Sequence, residues 1–236
     1  MLRDAWDAHA EAWITWARAP GHDSYWRFHR DAFLPLVPPP GRLTVDIGCG
    51  EGRMGRDLAR LGHRVVGVDS SGTMATAAHR HPDRGGPIAV ADAAALPLRD
   101  AVADCAVAFM SLQDVDAMER AMEEAARVLM AGGCLVMAIT HPVNTAGRFD
   151  PGSDGDGRPV FVIEGSWFER RVCSETCERD GLTMTFHSEH RPLHDYVDAL
   201  ADAGFVVERL REVGESDPDH KWHRLPLFLH LRARLQ

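Results

Sequence analysis

Continuous apolar runs alternate with segments of helical periodicity through the first two thirds of the chain. Strands are predicted at 43–47, 64–69, 87–91, 104–110 and 134–140. Helices are predicted between them at 52–61, 71–80 and 115–130, where apolar residues recur at helical spacing. Runs that are apolar on both faces are typical of parallel strands covered by helices on each side. The pattern therefore predicts an α/β fold with a doubly wound, mostly parallel sheet.

This alternation stops at Pro142. Residues 144–159 are rich in Gly, Asp and Pro and are predicted to form a loop. The segments 160–172 and 181–190 are predicted to be β-rich, with a hairpin turn between them. The region after Pro142 is therefore expected to form a β-rich insertion.

The two ends of the chain complete the predicted architecture. Residues 4–34 carry aromatic side chains at roughly helical spacing and predict an N-terminal helical segment. A helix at 192–203 is followed by strands at 205–213 and 225–235, which have only a loop between them. Strands without a crossover helix pair antiparallel. The sheet is thus predicted to have seven strands and an antiparallel last strand.

Composition narrows the possible partners. The 236-residue chain has a formal net charge of −9 and no lysine- or arginine-rich stretch, which argues against nucleic acid or an anionic membrane as partner. The five cysteines have no zinc-module spacing, and we expect them to be reduced in the cytoplasm. No apolar stretch approaches the ~20 residues that span a bilayer, and the N-terminus has no signal-like pattern. We expect a cytoplasmic monomer or homodimer without membrane contact.

A glycine-rich turn follows the first predicted strand, in the sequence Asp46-Ile47-Gly48-Cys49-Gly50-Glu51-Gly52. Glycines at alternate positions allow a turn that is too tight for side chains. Helical sequence follows directly, so backbone N–H groups at a helix N-terminus are open to a ligand. This pattern predicts a cofactor site near residue 50.

Aspartates at the ends of the next two strands indicate which ligand binds there. Asp69 ends the second strand, 19 positions after Gly50, and Asp92 follows the third. An acid about 20 residues beyond such a turn is placed to bind both hydroxyls of a ribose. Asp92 is then placed to accept a hydrogen bond from an adenine amine. These residues predict an adenosine held across the sheet edge.

In order and spacing, these motifs resemble the class I S-adenosylmethionine-dependent methyltransferases. The resemblance is to their small-molecule branch, which includes the ubiquinone/menaquinone-biosynthesis type. It extends to residues 125–133, where Met130-Ala131 stands in place of the family's Lys-Pro. It implies S-adenosylmethionine as cofactor and methyl transfer to a small molecule, with oxygen slightly favoured over nitrogen or carbon. The implied cofactor-binding residues are Asp46, Gly48, Cys49, Gly50, Asp69, Ser70, Met74, Asp92, Ala93, Met110 and Ser111.

Two alternatives remain open at this point. Gly50-x-Gly52-x-x-Gly55 also satisfies the dinucleotide pattern, which would suit an NAD-dependent oxidoreductase. The dinucleotide pattern begins at Gly50 and gives Gly48 no role. An antiparallel last strand is also atypical of a dinucleotide-binding fold. A non-catalytic S-adenosylmethionine-binding scaffold or regulator is the second alternative.

Candidate residues for the acceptor side are less sharply defined. His141 follows the fifth strand and precedes Pro142, and it is the preferred general base, since histidine titrates near neutral pH. The histidines at 187, 190 and 194 do not share one helical face, so no metal site is predicted. The candidate substrate-contacting residues are Tyr25, Trp26, Trp167, His187 and His190.

The predicted organisation is a single methyltransferase domain over residues 1–236. Its parts are a helical lid at 1–40, a cofactor-binding core at 41–142, a cap insertion at 143–191, and a closing helix and strand hairpin at 192–236. The lid and the cap are the parts that are free to cover an acceptor.

Overall fold

The computed structural model describes residues 1–155 and 157–236. The strands are β1 (Thr44–Ile47), β2 (Val65–Asp69), β3 (Ile88–Val90), β4 (Ala103–Phe109), β5 (Leu129–Thr140), β6 (Gly147–Ser153), β7 (Pro159–Ile163), β8 (Arg171–Arg179), β9 (Leu182–His190), β10 (Phe205–Gly214) and β11 (Pro226–Leu235). The α-helices are α1 (Leu2–Ala8), α2 (Ala10–Arg18), α3 (Arg30–Phe33), α4 (Arg53–Arg60), α5 (Gly72–Arg80), α6 (Met118–Val128), α7 (Pro142–Ala146) and α8 (Leu193–Asp202). Single turns of other helices lie at Tyr25–His29, Leu34–Leu36, Leu112–Asp114 and Lys221–Arg224.

Seven of these strands form one sheet in the order β10-β11-β5-β4-β1-β2-β3. Strands β1 to β5 are parallel to one another, whereas β11 runs antiparallel to both β5 and β10. The predicted α/β class, seven-stranded sheet and antiparallel last strand are confirmed. The strand order reverses at β1, between β4 and β2, and ligands bind at the carboxyl ends of the strands at such a point.

Helices cover both faces of the sheet, as the continuous apolar runs predict. Ala106 and Ala108 of β4 face a cluster that includes side chains of α6 and α8. Cys105 and Val107 face the opposite cluster, which includes Phe33 of α3. These four β4 side chains are at most 2% exposed, so both faces of the strand are buried. Within the described ranges, no helix is long and apolar enough to cross a membrane.

The segment after Pro142 is more regular than its composition predicts. The loop predicted at 144–159 is wrong, because α7 and the antiparallel strands β6 and β7 occupy much of it. A Cβ on Gly147 would lie 1.9 Å from the carbonyl oxygen of Val162, so glycine here allows close strand contact. The predicted hairpin turn is present between β8 and β9. Among the strands of the main sheet, the start of β5 differs most from its prediction, because this strand begins at Leu129 and not at residue 134.

The aromatic N-terminal segment lies against α5 and β9. Trp6 Nε1 donates a hydrogen bond to the carbonyl oxygen of His187 at 2.7 Å. Ser71 Oγ donates to Asp7 at 2.5 Å, which joins α1 to the start of α5. These contacts place α1 and α2 beside the carboxyl ends of β1 and β2. The division into lid, core and cap stays a prediction.

A buried histidine pair ties this segment to the last strand. His29 Nδ1 lies 2.8 Å from His230 Nε2, and both side chains are fully buried. Burial lowers the pKa of His29 well below its usual value. Burial, with a contribution from Arg211, lowers the pKa of His230 to about 4. Both imidazoles are therefore neutral in the folded protein near neutral pH.

Acidification is expected to destabilise the fold through this pair. A group with a lowered folded pKa gives its full stability above its unfolded pKa, and that stability is lost as the pH falls. For His230 the loss begins near pH 6.5, continues towards about 4, and amounts to about 3 kcal/mol. Urea unfolding at about pH 7.5 and about pH 5 measures this change. His230→Leu should reduce the drop in unfolding free energy, whereas the exposed control His79→Gln should not; equal drops in all three proteins would contradict the assignment.

Candidate functional site

A cavity of about 990 Å³ opens at the carboxyl ends of the parallel strands. The glycine turn after β1, the ends of β2 and β4, the N-terminal helices and the β8–β9 hairpin all contribute to its walls. Every cofactor-binding residue predicted from the sequence lines this cavity. These residues are Asp46, Gly48, Cys49, Gly50, Asp69, Ser70, Met74, Asp92, Ala93, Met110 and Ser111.

The turn after β1 has a backbone that requires glycine. Gly48, Gly50 and Gly52 have φ values of 70°, 54° and 88°, in the left-handed region. The N–H groups of Gly48 and Cys49 both bond to the carbonyl oxygen of Val68, which fixes the turn to β2. A Cβ on Gly48 would lie 2.4 Å from the Cβ of Ser111, so the turn also touches the end of β4.

Asp69 connects this turn to the start of α5. Its carboxylate accepts hydrogen bonds from the N–H of Gly50 at 2.7 Å and the N–H of Ser71 at 2.9 Å. Burial raises its pKa, although the two N–H groups act against that rise. Ser71, not Asp69, caps α5 by accepting from the N–H of Met74. Each carboxylate oxygen keeps acceptor capacity for a ligand hydroxyl.

Asp46 presents a buried carboxylate that lacks a partner. The residue is 1% exposed, and neither of its side-chain oxygens has a hydrogen bond among the described residues. Burial and the nearby charge of Asp69 raise its pKa to about 7, and the backbone N–H of Gly55 acts weakly against this. A buried acceptor without a donor is costly, so the site favours a ligand that brings one.

The N-terminus of the chain reaches the far end of the cavity. Asp92 accepts from the N–H of Ala94 at 2.9 Å, and its other oxygen lies 3.8 Å from the guanidinium of Arg3. Asp116 accepts from the backbone N–H groups of Leu2 and Arg3. Helix α1 is thereby attached beside Asp92, a contact that the sequence did not predict.

Only some of the predicted substrate-contacting residues line the cavity. Tyr25 and His187 line the cavity, but the hydroxyl of Tyr25 is held by Asp57 at 2.7 Å. Trp26, Trp167 and His190 are not in the cavity wall. Trp26 is 61% exposed, and its ring packs edge-on against that of Tyr25. These three predicted substrate contacts are corrected.

Two of these residues have structural roles instead. His190 is fully buried, with Nδ1 2.8 Å from Thr145 Oγ1 and Nε2 3.0 Å from the carbonyl oxygen of Trp167. Both imidazole nitrogens are therefore used to join β9 to the segments around 145 and 167. A histidine held in this way has no free nitrogen for a substrate.

His141 also lies outside the cavity wall. Its Nδ1 accepts from the N–H of Val143 and caps α7. Its Nε2 lies 3.3 Å from Glu212 Oε1 on the edge strand β10. Nδ1 is thus used by α7, whereas Nε2 has no hydrogen bond among the described residues, and the role of His141 as general base stays a prediction.

Residues 45–137 match the family model described as a methyltransferase domain. A probable S-adenosylmethionine-dependent methyltransferase of Mycobacterium tuberculosis is 30% identical over 145 residues, which are 60% of this chain and 51% of that protein. Residues 45–137 therefore carry a methyltransferase domain, and the sheet has the fold of the class I methyltransferases. A demethylmenaquinone methyltransferase of Thermobifida fusca is 31% identical over 121 residues, or 50% of each chain. The chain spans about half the length of these curated relatives.

Solved structures extend the similarity over most of the chain. An S-adenosylmethionine-dependent methyltransferase from Mesorhizobium loti has a TM-score of 0.68 and 26% identity, over 86% of this chain and 96% of its own. A protein from Listeria monocytogenes shares the fold, with a TM-score of 0.70 at 20% identity over 87% of this chain and 97% of its own.

Several residues of the cavity wall were missed by the sequence analysis. Trp6 and Trp13 reach it through the packing of α1 and α2, which no local pattern reveals. Gln113 and Asp114 follow β4, so the strand-end rule that found Asp69 would also have found them. No group of three or more potential metal ligands is assembled among the residues that the structure describes.

Proposed function

We propose that this protein transfers a methyl group from S-adenosylmethionine to a small-molecule acceptor. The observation that carries the proposal is the buried, unpartnered carboxylate of Asp46 beneath a turn of three left-handed glycines. That arrangement suits a positively charged amino group held close to the backbone. When bound, this cofactor supplies an electrophilic methyl group on a sulfonium.

The residues of the chain would divide the binding work. Asp69 would accept from the ribose hydroxyls, and Asp92 would accept from the adenine amine. Asp46 would accept from the amino end, and the left-handed glycines let the main chain approach it. The burial of Asp46 excludes water from its carboxylate, which strengthens a charged hydrogen bond there.

The size of the cavity supports a small acceptor. Its volume of about 990 Å³ is at the upper end of the range for small-molecule sites, roughly 300–1,000 Å³. Such a cavity has room for the cofactor and one further small molecule. The slight preference for an oxygen acceptor, the monomeric or homodimeric state and the cytoplasmic location stay predictions.

Titration calorimetry with S-adenosylmethionine, S-adenosylhomocysteine and NAD tests the proposed cofactor. We expect both sulfur ligands to bind with one site per chain and NAD to show no saturable binding. NAD binding in place of the sulfur ligands would instead support an oxidoreductase. A panel of small-molecule acceptors, followed by S-adenosylhomocysteine release, tests turnover; ligand binding with no turnover on any acceptor would support the non-catalytic scaffold.

A further inference from the structure

Gln113 places an unsatisfied hydrogen-bond acceptor in the cavity wall. The residue is 5% exposed, and its Oε1 is buried without a partner among the described residues. Its Nε2 donates to Asp114 Oδ2 at 3.2 Å. The amide is therefore oriented by Asp114, and its oxygen lacks a donor although the residue lines the cavity.

Asp114 presents a second acceptor beside it. Gln113 is its hydrogen-bonding side-chain partner, and Asp114 forms no ion pair within the described part of the chain. Burial raises its pKa well above the usual range, and the charge of Arg191 acts against that rise. A carboxyl group in this state gains from a cation brought close to it.

Arg191 is not free to act as that cation. This fully buried guanidinium pairs with Glu189 and donates to the carbonyl oxygens of Leu112, Gln113 and Val115. Arg191 thereby holds the backbone of the turn that carries Gln113 and Asp114. The turn is thus fixed in position, while Gln113 Oε1 has no donor and Asp114 has no ion-pair partner within the described part of the chain.

The location of this turn connects it to the cofactor site. Residues Leu112–Asp114 follow β4 directly after Met110 and Ser111, which line the cofactor side of the same cavity. Ser111 Oγ donates to the carbonyl oxygen of Ile47 at 2.7 Å, next to the glycine turn. Gln113 and Asp114 therefore line the same cavity as the proposed cofactor residues and directly follow two of them in the chain.

We propose that Gln113 and Asp114 bind the amino group of the acceptor, so that the substrate is an amine and methylation occurs on nitrogen. This inference rests on the proposed function and replaces the oxygen preference of the sequence analysis. An ammonium group brings several N–H donors and a positive charge, which would give Gln113 Oε1 its missing donor and Asp114 an ion-pair partner. An alcohol brings one donor without charge, and a carboxylate would be repelled.

The same carboxylate prepares the nitrogen for transfer. Asp114 takes one proton from the ammonium group, which frees the nitrogen lone pair. The nitrogen then forms the N–C bond as the C–S bond of the donor breaks, and that electron pair stays on sulfur. The methylated ammonium product and a neutral thioether result, and the proton on Asp114 passes to solvent.

Binding of matched probes to the protein saturated with S-adenosylhomocysteine tests this inference. The probes are benzylamine with benzyl alcohol, 2-phenylethylamine with 2-phenylethanol, and octylamine with octanol. We expect at least one amine to bind about tenfold or more tightly than its alcohol counterpart. In buffers of different ionisation enthalpy, that amine should release protons on binding, because its charge lowers the pKa of Asp114.

Asp114→Asn should weaken amine binding by about tenfold or more and remove the proton release. Asp202→Asn, an exposed helical control with the same charge change, should leave both unchanged. S-Adenosylhomocysteine affinity should stay the same in both variants, which shows that the fold is retained. No amine binding more tightly than its alcohol, or an unchanged amine affinity in Asp114→Asn, would overturn the inference. Failure of wild-type protein to bind S-adenosylhomocysteine would instead refute the proposed function.

Discussion

Gly48→Ala is expected to lower S-adenosylhomocysteine affinity by about a hundredfold or more, which corresponds to about 2.7 kcal/mol. Gly48 has φ +70°, and a left-handed backbone costs a residue with a Cβ about 1–2 kcal/mol. The added Cβ would also lie 2.4 Å from the Cβ of Ser111, which has little room to retreat because its Oγ is bonded to Ile47. The turn must therefore move, and the cofactor cradle moves with it. Titration calorimetry measures the affinity, and thermal unfolding measures the accompanying loss of stability.

Gly132→Ala separates the two causes of this effect. Gly132 has φ +77°, but a Cβ there would meet no atom within 4 Å. The variant carries a similar backbone cost without the contact to Ser111, so its stability should fall while its cofactor affinity stays unchanged. Equal affinities of Gly48→Ala and wild-type protein would show that the turn is not part of the cofactor site.

The parallel core could be predicted from the sequence because its signals are local. β4 is buried on both faces, and the chain shows this as an uninterrupted apolar run. The turn after β1 needs glycine for its own backbone angles, so its pattern is visible without any knowledge of distant residues. Neighbouring strands then bring Asp69 beside the turn, which follows from the parallel order of the sheet.

The acceptor side could not be predicted in the same way because it depends on distant contacts. Trp6 reaches the cavity while bonded to the carbonyl oxygen of His187, 181 positions away. His141 and His190 carry the chemistry expected of an active site, but a helix cap uses Nδ1 of His141 and loop contacts use both nitrogens of His190. Gly147 resembles a loop residue in composition, yet it serves close pairing of two strands. Residue type alone does not separate these roles.

Asp69→Ala is expected to abolish measurable S-adenosylhomocysteine binding. The substitution removes the carboxylate proposed to hold the ribose hydroxyls, and charged hydrogen bonds of this kind contribute about 1.5–3 kcal/mol each. It also leaves the N–H groups of Gly50 and Ser71 without their acceptor, so the glycine turn loses its tie to α5. Both effects act on the cofactor, since one removes a ligand contact and the other loosens the cradle. Calorimetry with S-adenosylhomocysteine measures the loss.

Asp104→Ala is the matched control for Asp69→Ala. Asp104 is also a partly exposed carboxylate that accepts from two successive backbone N–H groups, those of Arg42 and Leu43. It lies at the amino end of β4, and so at the opposite edge of the sheet from the cavity. Its removal should lower thermal stability by a similar amount and leave cofactor affinity intact, because only Asp69 adds a ligand contact to its structural one. If both variants lose affinity equally, Asp69 acts through stability alone and the ribose contact is refuted.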